Sequence, residues 1–292
     1  MFTFDEKKTN ERTKMLQRYY GANVSQDGHM CCKHYSVCSN DAVRRHLDMN
    51  AGQFQHVGKK YDISNDGKEL RLIISGISYG SMSNRSMEER WQDVVVRGGC
   101  GERVSPATRT GHAIGTTNLL KYILLGSESI GRNNWADWSQ EFIGTVGEPA
   151  DHIFNMCAWA NFLICCATEG GHETDKTPVP FAYRCFPHYM ETLRILEPNL
   201  VICQQRSKDP RKKYEGWFER CLEQLGMDRR CWSQENANWG RYKDGALEFI
   251  ACNFYHPSVR NSNNWSHTPE QYYFKNTIMP TLDTVLEEIG WR

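Results

Sequence analysis

Leu70-Arg71-Leu72-Ile73-Ile74-Ser75-Gly76-Ile77-Ser78-Tyr79-Gly80-Ser81 is a short apolar run that passes directly into a stretch holding two glycines. The run is too brief for a helix and is bounded by turn residues, so it reads as a strand buried on both faces. Three more runs of the same kind follow: Trp159 to Cys165, Leu200 to Cys203 and Leu247 to Asn253. Between them lie helical patterns. In Ala182 to Leu196, Tyr183, Met190, Leu193 and Leu196 recur at helical spacing before Pro198 closes the segment. The first twenty residues read as a polar helix, and Pro269 to Ile289 as a helix broken at Pro280. Strands separated by helices predict an α/β fold with a parallel sheet covered on both faces.

The 292 residues, 39% hydrophobic and 24% charged, suit one large domain or two small ones. No internal repeat is present. Segment 81–111 is rich in Ser, Arg and Gly and too long for a simple connection, so it reads as an insertion in a single domain spanning 1–292. From Arg206 to Tyr214, five cations fall within nine residues, as a solvated loop or a phosphate-contacting one. With 35 Lys plus Arg against 35 Asp plus Glu, no global positive field holds a polyanion, so any nucleic-acid contact must be local. No apolar stretch approaches a bilayer span, and Asp5, Glu6, Lys7 and Lys8 occupy the place of a signal segment. The expectation is a cytoplasmic protein with no membrane partner and no obligate protein partner.

The 12 cysteines are too sparse for a disulfide scaffold and in a reducing cytosol read as core residues or metal ligands. Cys100, Cys157, Cys203, Cys221, Cys231 and Cys252 stand alone and read as small hydrophobes. Cys31, Cys32 and Cys38 cluster in one loop, and Cys165, Cys166 and Cys185 lie far downstream.

In open parallel sheets, ligands bind beyond the carboxyl ends of the strands. Here the first strand runs into Gly76 and Gly80, where a backbone can approach a ligand closely. The last runs into Asn253-Phe254-Tyr255-His256-Pro257-Ser258, an imidazole and a hydroxyl on a loop stiffened by proline. A lone His is more often structural than catalytic, but its position at a strand end opposite a glycine loop raises its standing.

These residues resemble the uracil-DNA glycosylase superfamily, in particular the branch that carries a four-iron, four-sulfur cluster. Gly76-Ile77-Ser78-Tyr79-Gly80 stands in the place of the family's first motif, Gly-Glu-Ala-Pro-Gly. Ala160-Asn161-Phe162-Leu163-Ile164-Cys165 matches Thr-Asn-Val-Val-Lys-Cys, and Cys185-Phe186-Pro187 with Pro198 matches the Cys-Arg-Pro helix that ends in Lys-Pro. Tyr255-His256-Pro257-Ser258 matches the second motif, Tyr-His-Pro-Ser. The resemblance covers residues 30 to 260 and implies a three-layer αβα sandwich around a central, mainly parallel four-stranded sheet.

The resemblance further implies cluster ligands at Cys32, Cys38, Cys165 and Cys185, with Cys31 an alternative to Cys32 and Cys166 to Cys165. Zinc would also satisfy four thiolates. It implies a DNA partner and excision of a flipped base. Asn161, at the end of the second strand, reads the base edge, with Ile77, Tyr79 and Ala113 lining the base pocket. His256 stabilises the charge that develops as the glycosidic bond breaks. Gly80, Ser81 and Ser258 pinch phosphates.

Three departures stand out. The slots for a water-orienting carboxylate or asparagine hold Ser78, Ser83 and Asn84, with Glu88 or Glu89 on the following helix as substitutes. The family's stacking Phe aligns with Ala113, which widens the pocket and points to a bulky modified pyrimidine, as in viral DNA, alongside uracil. Arg260 holds the position of the family's wedge leucine, where it can fill a vacated stack or bind phosphate. Rival readings are a catalytically silent DNA-binding member of the fold and an iron–sulfur redox or nucleotide-binding protein.

Overall fold

The structure is a computed structural model that describes all residues except 28, 53, 77–85, 98–110, 131–140, 171–175, 207–231, 237, 260–261 and 267–270. Its centre is a seven-stranded mixed sheet. In chain order the strands are β1 (His56–Val57), β2 (Leu72–Ser75), β3 (Ala158–Trp159), β4 (Leu200–Arg206), β5 (Trp232–Asn236), β6 (Trp239–Asp244) and β7 (Leu247–Tyr255). Across the sheet they lie in the order β5-β6-β7-β4-β2-β3-β1. The neighbours β7 and β4, β4 and β2, and β2 and β3 pair parallel. The other neighbours pair antiparallel. The sheet is therefore wider than the four strands expected, because antiparallel strands extend it at both edges.

Alternation along the parallel strands sorts their side chains onto two faces. Ile73, Val201, Cys203, Phe249 and Ala251 pack with Leu16 and Tyr20 of α1 (Glu6–Asn23) and with Phe181, Tyr189 and Leu193 of α5 (Val179–Leu196). Leu72, Ile74, Leu200, Ile202, Ile250 and Cys252 pack with Leu119, Leu120 and Ile123 of α4 (Gly111–Leu125). The same side also meets Leu282, Val285 and Leu286 of α6 (Met279–Glu288). Each fully buried aliphatic side chain contributes about 1.5–3 kcal/mol. Two covered faces explain why the strands read as continuous apolar runs. The lone cysteines Cys157, Cys203 and Cys252 are buried; Cys100, Cys221 and Cys231 lie outside the described residues.

Several boundaries differ from the sequence pattern, each for a local reason. Leu70 belongs to a separate strand, Lys68–Leu70, paired with Ile63–Asn65. The chain breaks at Arg71, whose N–H donates to Asn199 Oδ1 at 2.8 Å. The run Trp159 to Cys165 is a strand only at its start, and Cys166–Thr168 pairs instead with Asp48–Asn50. The polar N-terminal helix begins only at Glu6, after a strand, Phe2–Phe4, and Asp5 caps it by accepting from Lys8 N at 2.9 Å. Helix α5 starts three residues before the expected Ala182 and ends at Glu197, which adopts φ 44° ahead of Pro198. Pro280 does not break the C-terminal helix: it sits in the first turn of α6, where its missing N–H costs nothing, directly after a π-helical turn, Phe274–Ile278. Within the insertion, α3 (Met87–Trp91) and a π-helical turn, Gln92–Arg97, are described. Among the described residues, no helix is long and apolar enough to cross a membrane.

Two-sided burial has a direct consequence for stability. Ile73 is 0% and Ile74 2% exposed, on opposite faces of β2, so Ile73→Ala and Ile74→Ala should each destabilise by about 2–5 kcal/mol. Denaturant unfolding checks this; a strand with one wet face would show the loss at only one of the two positions.

Candidate functional site

The carboxyl ends of the parallel strands gather Gly76, Asn161 and His256, which the sequence singled out, and Gln204, which it did not. Gly76 follows β2, Asn161 follows β3, Gln204 lies in β4 and His256 follows β7. Gly76 N–H donates to Asn161 Oδ1 at 3.1 Å. That bond decides the amide's orientation: a backbone donor demands the carbonyl oxygen, so Nδ2 is left to donate. A Cβ on Gly76 would lie 2.7 Å from Asn161 Oδ1, so a side chain here would push the amide out of its present place.

Asn161 is held from behind by Gln55, which is fully buried. Gln55 Oε1 accepts from Asn161 N at 2.9 Å, and Gln55 Nε2 donates to Asn161 O at 3.2 Å and to Tyr20 OH at 2.8 Å. One side-chain amide thus pairs this backbone where no strand does, while Phe162 N on the other side still donates to Gly76 O at 3.2 Å. Tyr20 in turn meets Thr192 of α5 at 3.2 Å, tying α1 and α5 to the strand end.

His256 Nδ1 accepts from Ser258 N at 3.2 Å. A neutral ring so held carries its proton on Nε2. The residue is exposed to solvent, yet desolvation first, and His112 second, hold its pKa below the ordinary imidazole value. His112, in the first turn of α4, stacks on it with centroids 4.6 Å apart and planes 22° apart. Burial lowers the His112 pKa as well. His112 Nε2 meets Gln204 Oε1 at 2.8 Å, and Gln204 Nε2 donates to Thr116 Oγ1 at 3.0 Å. Helix α4 comes this close because Gly111 and Gly115 face the loop after β7: a Cβ on Gly115 would lie 2.7 Å from Pro257 Cβ, and one on Gly111 2.8 Å from Ser266 Cβ.

Ala113 lies beside His112 in the same turn, half-buried, and Ser258 is exposed near Gly111. Ile77, Ser78, Tyr79, Gly80, Ser81, Ser83, Asn84 and Arg260 lie outside the described residues. Of the substitute carboxylates, Glu89 closes the cap of its own helix by accepting from Ser86 N at 2.8 Å, and Glu88 accepts from Gln92 Nε2 at 3.2 Å. Sequence reasoning missed Gln55 and His112. Gln55 carries no local signal, whereas His112 stands next to the quoted Ala113 and was an aromatic ring one position away from the expected one.

A second constellation lies across α5. Cys165 and Cys185 are each 6% exposed. Burial first, and then the nearby Cys185, Cys32 and Cys38, push the Cys165 thiol well up. Burial, with Cys38 and Cys32 adding to it, pushes Cys185 to about 12. Cys38, which lies in α2 (Tyr35–Arg44) and not in the expected loop, is raised chiefly by burial and also feels Cys32. The four thiols are thus electrostatic neighbours. The backbone of Ile164 and Cys165 beside Cys185, and that of Gly52 beside Cys165, works against this rise. Arg184 Nη1 donates to Cys38 Sγ at 3.6 Å, and His188 Nε2 lies 3.6 Å from Cys32 Sγ. Cys31 is exposed, with Sγ on Gly21 O at 3.6 Å, and Cys166 belongs to the strand Cys166–Thr168. Among the described residues, no three Cys, His, Asp or Glu side chains stand where they could hold a metal ion.

In comparison with known proteins, no family model and no curated protein matches this chain.

Gln55→Leu should destabilise by about 1–3 kcal/mol, because Asn161 N, Asn161 O and Tyr20 OH lose a buried partner. Denaturant unfolding measures it, and a neutral result would show that water replaces the amide.

Proposed function

We propose that the protein is a DNA glycosylase that takes a nucleotide out of the stack, holds its base between the ends of β3 and β7, and cleaves the N-glycosidic bond. The observation that carries the reading is the pair of oriented groups at one sheet edge: an asparagine amide fixed by Gly76, and an imidazole fixed by Ser258 N with its proton on Nε2. Their strands are separated by three inter-strand spacings, about 14 Å at roughly 4.8 Å each, a span that a pyrimidine and one side chain from either end fill. In finer terms the fold is a three-layer αβα sandwich whose core is β3-β2-β4-β7.

Asn161 donates from Nδ2 to a base carbonyl and accepts through Oδ1 from a ring N–H. As the bond from C1′ to the base nitrogen breaks, the electron pair goes to the base, and His256 Nε2–H donates to the carbonyl on which the charge collects. Such a contact strengthens only in the transition state. Water oxygen bonds to C1′, and its proton ends on the released base. Ser78 and Asn84 are the candidates to orient that water, Gly80, Ser81, Ser258 and Arg260 to hold the DNA backbone. Ile77, Tyr79 and Ala113 are the candidates to meet the base, and the small side chain at Ala113 in place of a stacking ring suits a bulky modified pyrimidine and a defence role against viruses with modified DNA; uracil is the plain alternative. All nine described cysteines are free thiols, in keeping with a reducing cytoplasm.

Cys32, Cys38, Cys165 and Cys185 would hold a four-iron, four-sulfur cluster or, alternatively, zinc. When bound, the group supplies a structural tie between the N-terminal segment and α5. Anaerobically purified protein should contain iron and acid-labile sulfide, and Cys185→Ser should lose both. Zinc without sulfide would keep the ligand set and reject the cluster.

The reaction is tested by incubating the protein with DNAs that contain uracil, hypoxanthine or glucosylated hydroxymethylcytosine and then cleaving abasic sites with alkali. Strand cleavage at one of these bases is expected, and His256→Ala should slow release by roughly 100-fold while DNA affinity stays nearly unchanged. Binding without abasic product would favour the silent-binder reading, which the engaged carboxylates of Glu88 and Glu89 support; no binding at all would overturn both.

A further inference from the structure

The His112 and His256 rings form a pair whose two free edges are fixed by different means. Ser258 N–H occupies His256 Nδ1 at 3.2 Å. Gln204 Oε1, which can only accept, takes the proton of His112 Nε2 at 2.8 Å, and Gln204 is itself held by Thr116 one helical turn beyond His112. With planes 22° apart and centroids at 4.6 Å, rotation of His256 about its Cβ–Cγ bond would drive its edge into the His112 face. The indole of Trp159 meets His112 edge-on at 5.8 Å and adds a second ring contact to it. Neither Gln204 nor Trp159 belongs to α4 or to the loop after β7, so the clamp spans three strands and a helix. His256 Nε2 makes no hydrogen bond to any described residue, which leaves this edge as the one to meet a ligand.

We propose that His112 is a positioning residue: its ring, braced by Gln204, clamps the His256 imidazole so that the Nε2–H edge keeps a fixed direction toward the bound base. This rests on the reading of His256 as the group that meets the base. Orientation held in advance of the reaction lowers the barrier because no reorganisation is needed in the transition state. The role needs an aromatic ring at position 112 but not a basic one, which separates a clamp from proton transfer.

The clamp predicts that nitrogen-detected NMR of the unmodified protein finds His256 in the single Nε2–H tautomer. In His112→Ala the freed ring should turn away from Ser258 N–H part of the time, so that the two tautomers mix, and base release should slow about 10-fold with DNA affinity within about twofold. His112→Phe should restore the single tautomer and a rate within about threefold of the parent. An Nδ1–H tautomer in the unmodified protein, an unchanged tautomer in His112→Ala, or a His112→Phe variant as impaired as His112→Ala would each overturn the proposal. The spectra do not depend on catalysis, so a protein that excises no base but shows the expected tautomers would lose the glycosylase reading and keep the clamp.

Discussion

The in-register parallel pairing of β4 with β2 on one side and β7 on the other is the constraint on which the rest of the molecule depends. Ile202 stands opposite Ile74 and Cys252, and Cys203 opposite Ser75 and Asn253. Because all three strands run the same way, their chains leave the sheet at one edge, and Gly76, Gln204 and His256 arrive there together. A slip of one residue would send Leu200 and Ile202 to the opposite core and exchange every facing side chain. Burial on both faces makes such a slip costly, so the register of the core and the geometry of the edge are the same fact.

Polar groups near this edge are fixed by bonds to backbone more than by one another. Asn161 is oriented by Gly76 N–H, and its backbone is paired by Gln55; His256 is oriented by Ser258 N–H. Backbone groups move little, so an amide or imidazole bound to them is preorganised. Two close approaches make this possible, Gly76 against Asn161 and Gly115 against Pro257, where a Cβ would leave less than 3 Å. The four cysteines join the same frame from the other side. Cys185 lies on α5 with Thr192 and His188, and Thr192 meets the Tyr20 that holds Gln55. A continuous set of buried hydrogen bonds thus connects the cysteine-bearing helix to the strand end that carries Asn161.

The sequence by itself determined the α/β class. Four apolar runs alternate with helical patterns, and runs such as Leu200–Cys203 and Leu247–Asn253 coincide with strands because burial on both faces leaves a pattern in composition alone. It also placed His256 just after a strand and set Cys185 within a helix, since local periodicity marks where an element lies; that the strand before Asn161 stops at Trp159 it did not show. Only the tertiary structure decided which strands are neighbours, that antiparallel strands widen the sheet to seven, and that Cys32, not Cys31, faces His188 and the other thiols. Pairing and facing depend on complementary surfaces far apart in the chain, and no local pattern records them. Gln55 and His112 belong with these. Each is defined by partners about a hundred residues away, Asn161 for one and Gln204 and His256 for the other, so a buried amide and a stacked imidazole look like ordinary polar residues until the chain has folded around them.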